Sequence, residues 1–83
     1  MPVSNTSIVE RIARVIAGRV ASINAEGDEP SAGDRVDATW REYEEDARSI
    51  LRTLREPDET MAQAGDVQVW ERMVLAALEA ETA

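Results

Sequence analysis

Large aliphatic side chains are scarce in this chain, and that scarcity limits what it can fold into. Five Ile, four Leu and eight Val are its strong aliphatics among 83 residues, and Phe is absent. This share, about one fifth, is close to the level below which a highly charged sequence stays disordered. One core in a chain of about 80 residues also supplies only about 3–5 kcal/mol. Folding therefore depends on how these residues are spaced, and we expect self-association to add burial.

The first 24 residues carry a helical repeat of aliphatic side chains. Ser7 and Glu10 form a capping-box pattern, which predicts a helix that begins near Ile8. Val9 and Ala13 widen its apolar face beyond the roughly 100° that a surface helix needs. We therefore expect neighbours to cover this helix from two sides. The repeat consists of Ile8, Ile12, Val15, Ile16, Val20 and Ile23.

A second helix is predicted after an acidic loop. The loop covers residues 24–35, which are rich in Gly and acids and contain one Pro. The helix begins with Asp34 or Asp37 as its cap and runs to about Arg55. Its apolar positions follow helical spacing closely. They are Val36, Trp40, Tyr43, Ala47, Ile50, Leu51 and Leu54.

Two more helices follow. Pro57 is suited to the first position of a short helix of about two turns, which Gly65 closes. Asp66 is predicted to cap a last helix. The apolar stripe of that helix is Val67, Trp70, Met73, Val74, Ala77 and Leu78.

These segments predict an all-α protein, a small bundle of three long helices plus one short helix after Pro57. It forms a single helical domain over residues 1–83, with residues 1–6 and 80–83 frayed. The predicted core is Ile12, Ile16, Ile23, Trp40, Tyr43, Ile50, Leu54, Met61, Trp70, Met73, Val74 and Leu78.

Residues 43–78 contain a series of short motifs in a fixed order. Its parts are Tyr43, Ala47-Arg48, Ile50-Leu51, Leu54-Arg55-Glu56-Pro57, Glu59, Met61, Ala64-Gly65, Val69-Trp70, Met73 and Ala76-Ala77-Leu78. The pattern resembles one in small uncharacterised helical proteins of proteobacteria and their tailed phages. Asp58 stands where that family has Thr, and the segment before Val69 is shorter. The resemblance implies a bacterial or phage-borne cytosolic helical protein and implies no activity.

Composition argues against most catalytic chemistry. The chain has no His and no Cys, so it has no imidazole base, thiolate, disulfide or Cys/His zinc site. The carboxylates of the acidic loop lack the spacing of an EF-hand, so we predict a solvated linker there. We predict no enzyme and no catalytic, cofactor or metal site. The loop carboxylates are Glu26, Asp28, Glu29 and Asp34.

Charge narrows the range of partners. The net charge is −8, which repels phosphate backbones, and no apolar run approaches the roughly 18–20 residues of a membrane span. We expect neither nucleic acid nor membrane as a partner, and a cytoplasmic location. Four arginines share one side of the second helix and could clamp a phosphate, but nearby acids favour an exposed ion-paired face. These arginines are Arg41, Arg48, Arg52 and Arg55, and the acids are Asp37, Glu44 and Glu45.

The predicted function is a non-enzymatic protein–protein interaction module that self-associates through the first helix, with a dimer favoured. The apolar arc of that helix exceeds what so short a chain can cover, and uncovered apolar patches mark interfaces. An unknown protein partner is the alternative: an acidic phage-type decoy or inhibitor of a basic, nucleic-acid-handling protein, bound through the acids of residues 26–46 and 58–81. The predicted partner-binding residues are Ile8, Val9, Ile12, Ile16 and Val20.

Overall fold

A computed structural model describes residues 3–24 and 32–80, and all regular structure in these two ranges is helical. The all-α prediction is confirmed. Most of the predicted acidic loop lies outside the described residues, as do residues 1–2 and 81–83. The elements are α1 (Ile8–Asn24), α2 (Ala32–Thr39), a 3₁₀ turn (Trp40–Tyr43), α3 (Glu44–Leu54), α4 (Glu59–Ala64) and α5 (Val67–Ala80).

An antiparallel helical hairpin forms the centre of the molecule. The C-terminal half of α1 faces α2, where a methyl group added at Gly18 would lie 3.7 Å from Cγ2 of Val36. The N-terminal half of α1 faces α3, with Val9 and Ala13 in the same buried cluster as Ala47. One side of α5 then closes this cluster through Val74.

The buried side of α1 is lined almost entirely by alanine. Its four buried residues recur every four positions, so they form one narrow stripe along the helix. Side chains at a helix contact set how closely two helix axes approach, and alanine allows the smallest separations. The hairpin is therefore held by close packing of small groups. The whole set of buried residues is Val9, Ala13, Ala17, Ala21, Ala47, Leu51 and Val74.

The predicted core is wrong for five of its twelve members, which are exposed; Val74 is buried, and five more are half-buried and pack against the buried cluster. On α1 the alanine stripe faces the hairpin partner, and this turns Ile23 outwards. On α3, α4 and α5 no further element covers the exposed part of the predicted apolar face. The exposed members are Ile23, Ile50, Leu54, Met61 and Met73; the half-buried ones are Ile12, Ile16, Trp40, Tyr43, Trp70 and Leu78.

The predicted second long helix is divided in two. It begins at Ala32, earlier than the predicted Asp34 or Asp37, and α2 ends at Thr39. The Thr39 hydroxyl donates a hydrogen bond of 2.7 Å to the carbonyl of Arg35. Such bonds to the preceding turn bend helices, and here the chain passes through a 3₁₀ turn before α3 begins. The prediction of three long helices and one short helix is therefore not matched in detail, because α2 and α3 are separate helices.

Two predicted helix starts differ in detail from the structure. Ser7 accepts a hydrogen bond from the Glu10 amide at 3.1 Å, but the Glu10 carboxylate accepts from Arg14 Nε at 2.8 Å in place of completing the capping box. Asp58 accepts from the Met61 amide at 2.9 Å, so α4 begins after Asp58 and Pro57 lies outside the helix. The prediction that Pro57 is the first helical residue is therefore wrong.

The predicted cap of α5 is confirmed and yields a test. Asp66 Oδ1 accepts from the amides of Gln68 at 2.9 Å and Val69 at 3.1 Å. We expect Asp66→Ala to lower the free energy of unfolding by about 1–2 kcal/mol, because two first-turn amides lose their acceptor. Asp66→Asn is the matched control, and urea unfolding followed by circular dichroism should show it near wild type. Equal losses in both variants would contradict a capping role.

The outer helices leave the molecule open. The helix α4 has no buried side chain, and Val74 is the one fully buried residue of α5. The radius of gyration is 15.3 Å, whereas about 12 Å is typical of a compact domain of this length. A chain with so few large aliphatics therefore leaves several of them in contact with solvent.

Candidate interaction surface

One side of α1 presents aliphatic side chains to solvent. Ile8, Ile12, Val15 and Ile23 fall within about 80° of one another around the helix, centred about 140° from the alanine stripe. Val15 is 66% exposed and Ile23 is 74% exposed. Ile8 and Ile12 are half-buried and pack against the core cluster, so only the part of this face formed by Val15 and Ile23 is available for contact with another molecule.

A groove adjoins the N-terminal part of this face. It has a volume of about 310 Å³ and runs between α1, the end of α3 and α5. Arg11 is the one charged residue of its lining, and the rest is apolar. The lining residues are Ile8, Arg11, Ile12, Leu51, Leu54, Trp70, Met73, Val74 and Ala77. We call this the α1–α5 groove.

A second groove lies between α4 and α5, on the other side of the Trp70 ring. Its volume is about 380 Å³, and Asp66 is the one charged residue of its lining. The helix α4 forms one wall without burying any of its own side chains. The lining residues are Pro57, Met61, Ala64, Gly65, Asp66, Val67, Val69, Trp70 and Met73. We call this the α4–α5 groove.

Trp70 and Met73 belong to both grooves. The indole Nε1 of Trp70 donates a hydrogen bond of 2.6 Å to the carbonyl of Leu54, the last residue of α3. This bond satisfies the polar edge of the ring and fixes the ring between the grooves. Met73 beside it is 64% exposed. Tryptophan and methionine are enriched in protein interfaces, where the first is a frequent hot spot and the second adapts to irregular partners.

The predicted partner-binding residues are divided by the structure. Val9 has no exposed surface and is the bulkiest fully buried side chain, so it belongs to the core. Ile8 and Ile12 line the α1–α5 groove, whereas Ile16 and Val20 are half-buried and line neither groove.

The sequence predicts Leu54, Met61, Trp70 and Met73 in the core, whereas the structure exposes Leu54, Met61 and Met73 and leaves Trp70 half-buried against the core cluster. The signal that could have found them is the alanine repeat of α1. A helix that packs through alanine leaves its larger side chains uncovered. The apolar side chains of neighbouring helices that would have packed on them are then uncovered too.

Charged groups near the 3₁₀ turn connect the two arms of the hairpin at its surface. Arg14 binds Glu10 at 2.8 Å and Asp37 of α2 at 2.7 Å, and its guanidinium lies 5.4 Å from the ring centre of Trp40. The hydrogen bond to Asp37, followed by that to Glu10, raises the pKa of Arg14 above its usual value. Arg41 stacks on the same ring at 4.5 Å. Trp40 is thus a cation–π partner of two arginines.

The remaining arginines of the predicted phosphate clamp are close to acids. Arg48 pairs with Glu44 at 3.6 Å, as predicted, and with Glu45 at 2.8 Å. Arg52 and Arg55 line a shallow depression together with Glu56 and Glu71, so the charges there balance. This favours the ion-paired face over an anion site.

Acidic groups of the described chain do not cluster for metal binding. Among residues 3–24 and 32–80, no group of three or more carboxylates is placed to hold a metal ion. Of the loop acids weighed for calcium, Glu26, Asp28 and Glu29 lie outside the described residues. No helix in the described ranges is long and apolar enough to cross a membrane.

Comparison of the chain with protein-family models, with curated proteins and with solved structures finds no significant match. Function must therefore be argued from the surface itself.

Proposed function

We propose that this chain is a non-enzymatic protein–protein interaction module that self-associates through α1 and the adjoining face of α5. The observation that carries the proposal is the pair of apolar grooves that meet at Trp70 and Met73. With it go a bacterial or phage origin, which the pattern of residues 43–78 implies, and a cytoplasmic location.

Energetics support association over a solitary monomer. The buried set consists of four alanines, two valines and one leucine, so the chain alone removes little large apolar surface from water. Apolar burial contributes roughly 25 cal/mol per Å², and a core of this size gives only about 3–5 kcal/mol. Covering Met73, Leu54 and the exposed face of α1 in an interface would add to that sum. Association therefore stabilises the fold as well as the complex.

Sedimentation equilibrium at micromolar concentrations tests the proposal. We expect the wild-type chain to associate at 0.1 M salt and to remain associated at 1 M salt, because the apolar contacts that form most of the surface are not screened. Met73→Glu should raise the dissociation constant about tenfold or more, since a charge would be buried at the centre of the surface. Ile50→Glu is the matched control, as Ile50 is an exposed aliphatic of α3 that lines neither groove.

A fully helical monomer over the whole concentration range would contradict self-association. The acidic-decoy alternative gives a different result: a monomer that captures a basic protein, with affinity falling steeply as salt rises.

A further inference from the structure

The two grooves and the exposed face of α1 form one continuous apolar band. Val15 lies one helical turn from Ile12, and Ile12 lines the α1–α5 groove together with Met73. Met73 and Trp70 in turn line the α4–α5 groove, which continues to Met61. The band thus runs from α1 to α4, with Met73 near its middle. From end to end it consists of Val15, Ile12, Met73, Trp70, Val69 and Met61, and Arg19 separates Val15 from Ile23 further along α1.

The two ends of the band carry opposite charge. At the α1 end, Arg19 is exposed, and Arg11 is exposed in the lining of the adjoining α1–α5 groove. The single acid of α1, Glu10, is bound to Arg14. At the α4 end, residues 57–70 hold three acids and no arginine, and Asp66 itself lines the groove. The three acids are Asp58, Glu59 and Asp66.

We infer that the occupant of the band is a second copy of this chain, related by a two-fold axis that passes near Met73. The α1 end of one copy then packs into the α4–α5 groove of the other, and the same contact forms twice. This inference rests on the proposed self-association and specifies which surfaces meet. In a two-fold dimer the same patch must complement itself. The bands of the two copies then run in opposite directions, so the basic end of each band meets the acidic end of the other.

Charge decides between this arrangement and its alternatives. A dimer that packs α1 against α1 brings Arg11 and Arg19 of the two copies together, and one that packs groove against groove brings the acids together. Like charges facing each other across an interface cost binding energy, whereas opposite charges also fix the register. The reversed arrangement is the one that pairs Arg19 with the acidic end.

A charge cycle tests the arrangement. The variant R11E/R19E makes the α1 end acidic, and V69R places a base in the α4–α5 groove. We expect each variant to raise the dimer dissociation constant about tenfold or more, because every changed contact occurs twice in the two-fold dimer. Combining the three substitutions sets the base introduced at Val69 opposite the acids introduced at Arg11 and Arg19, so this local contact between opposite charges should recover binding relative to R11E/R19E alone.

The matched control is R52E/R55E, which makes the same change in net charge at two exposed arginines, one in the last turn of α3 and one directly after it, that line neither apolar groove. It should leave the dissociation constant within about threefold of wild type, since general repulsion is weak and screened. Helicity by circular dichroism confirms that each variant folds.

The outcomes separate the two proposals. A monomeric wild-type chain overturns self-association and this arrangement together. A wild-type dimer that is unaffected by V69R, or that R52E/R55E weakens as much as R11E/R19E, overturns the arrangement alone. Failure of the combined variant to bind better than R11E/R19E also overturns it.

Discussion

Leu51→Ala should lower the free energy of unfolding by about 2–4 kcal/mol, the larger of two stability effects expected for single substitutions in this chain. Leu51 is the largest side chain of the buried set and contacts a cluster that includes Val9 and Val74. Its truncation leaves a cavity where α1, α3 and α5 meet. Because the whole core supplies only about 3–5 kcal/mol, the variant should be partly unfolded at 25 °C.

The neighbouring Ile50 provides the matched control. It is 41% exposed on the same helix, and alanine is the better helix former, so Ile50→Ala should cost less than about 1 kcal/mol. Urea unfolding at one fixed low protein concentration measures both variants, because association would otherwise contribute to stability. If Ile50→Ala proved the more damaging change, the described burial on α3 would be incorrect.

Ala13→Leu should destabilise the chain by about 2–3 kcal/mol because it overpacks the core, whereas Leu51→Ala leaves a cavity in it. Ala13 has no exposed surface and lies in the stripe through which α1 contacts its hairpin partner. Three additional carbons there push α1 and α3 apart and loosen the packing of Val9 on Ala47. The melting temperature, followed by circular dichroism, should fall by roughly 10 °C or more for a domain of this size.

Ala62→Leu is the control for added volume. Ala62 is an exposed residue of α4, so the same three carbons meet solvent there and the melting temperature should change little. A tolerated Ala13→Leu would mean that α1 does not pack through its alanine stripe.

The helices could be predicted from the sequence because their signals are local. Ser7 and Asp66 cap helices as predicted, and helical spacing identified the segments that form α1, α3 and α5. The break at Thr39 was missed because the apolar spacing continues through Trp40 and Tyr43. A 3₁₀ turn of four residues does not interrupt that spacing.

The core could not be predicted from the same spacing. On α1 the large aliphatics and the alanines occupy different faces, and ranking by hydrophobicity selects the face with Ile12 and Ile23. The face that packs is determined by how closely α3 approaches, which is a tertiary property. The same error placed Met73 and Leu54 inside the bundle, so the candidate surface emerged only with the fold.

The attachment of α5 makes the apolar band depend on a local equilibrium. Val74 is the one buried residue of α5; Trp70, Ala77 and Leu78 pack half-buried against the core, and the Trp70 bond to Leu54 adds one polar contact. Segments with so little burial open at a lower free energy than the whole domain unfolds. Both grooves exist only while α5 is docked, so opening of α5 dismantles the surface without unfolding the hairpin. A bound partner that spans α1 and α5 therefore stabilises the docked state of α5. The fraction of molecules with α5 docked in turn sets the apparent affinity for that partner.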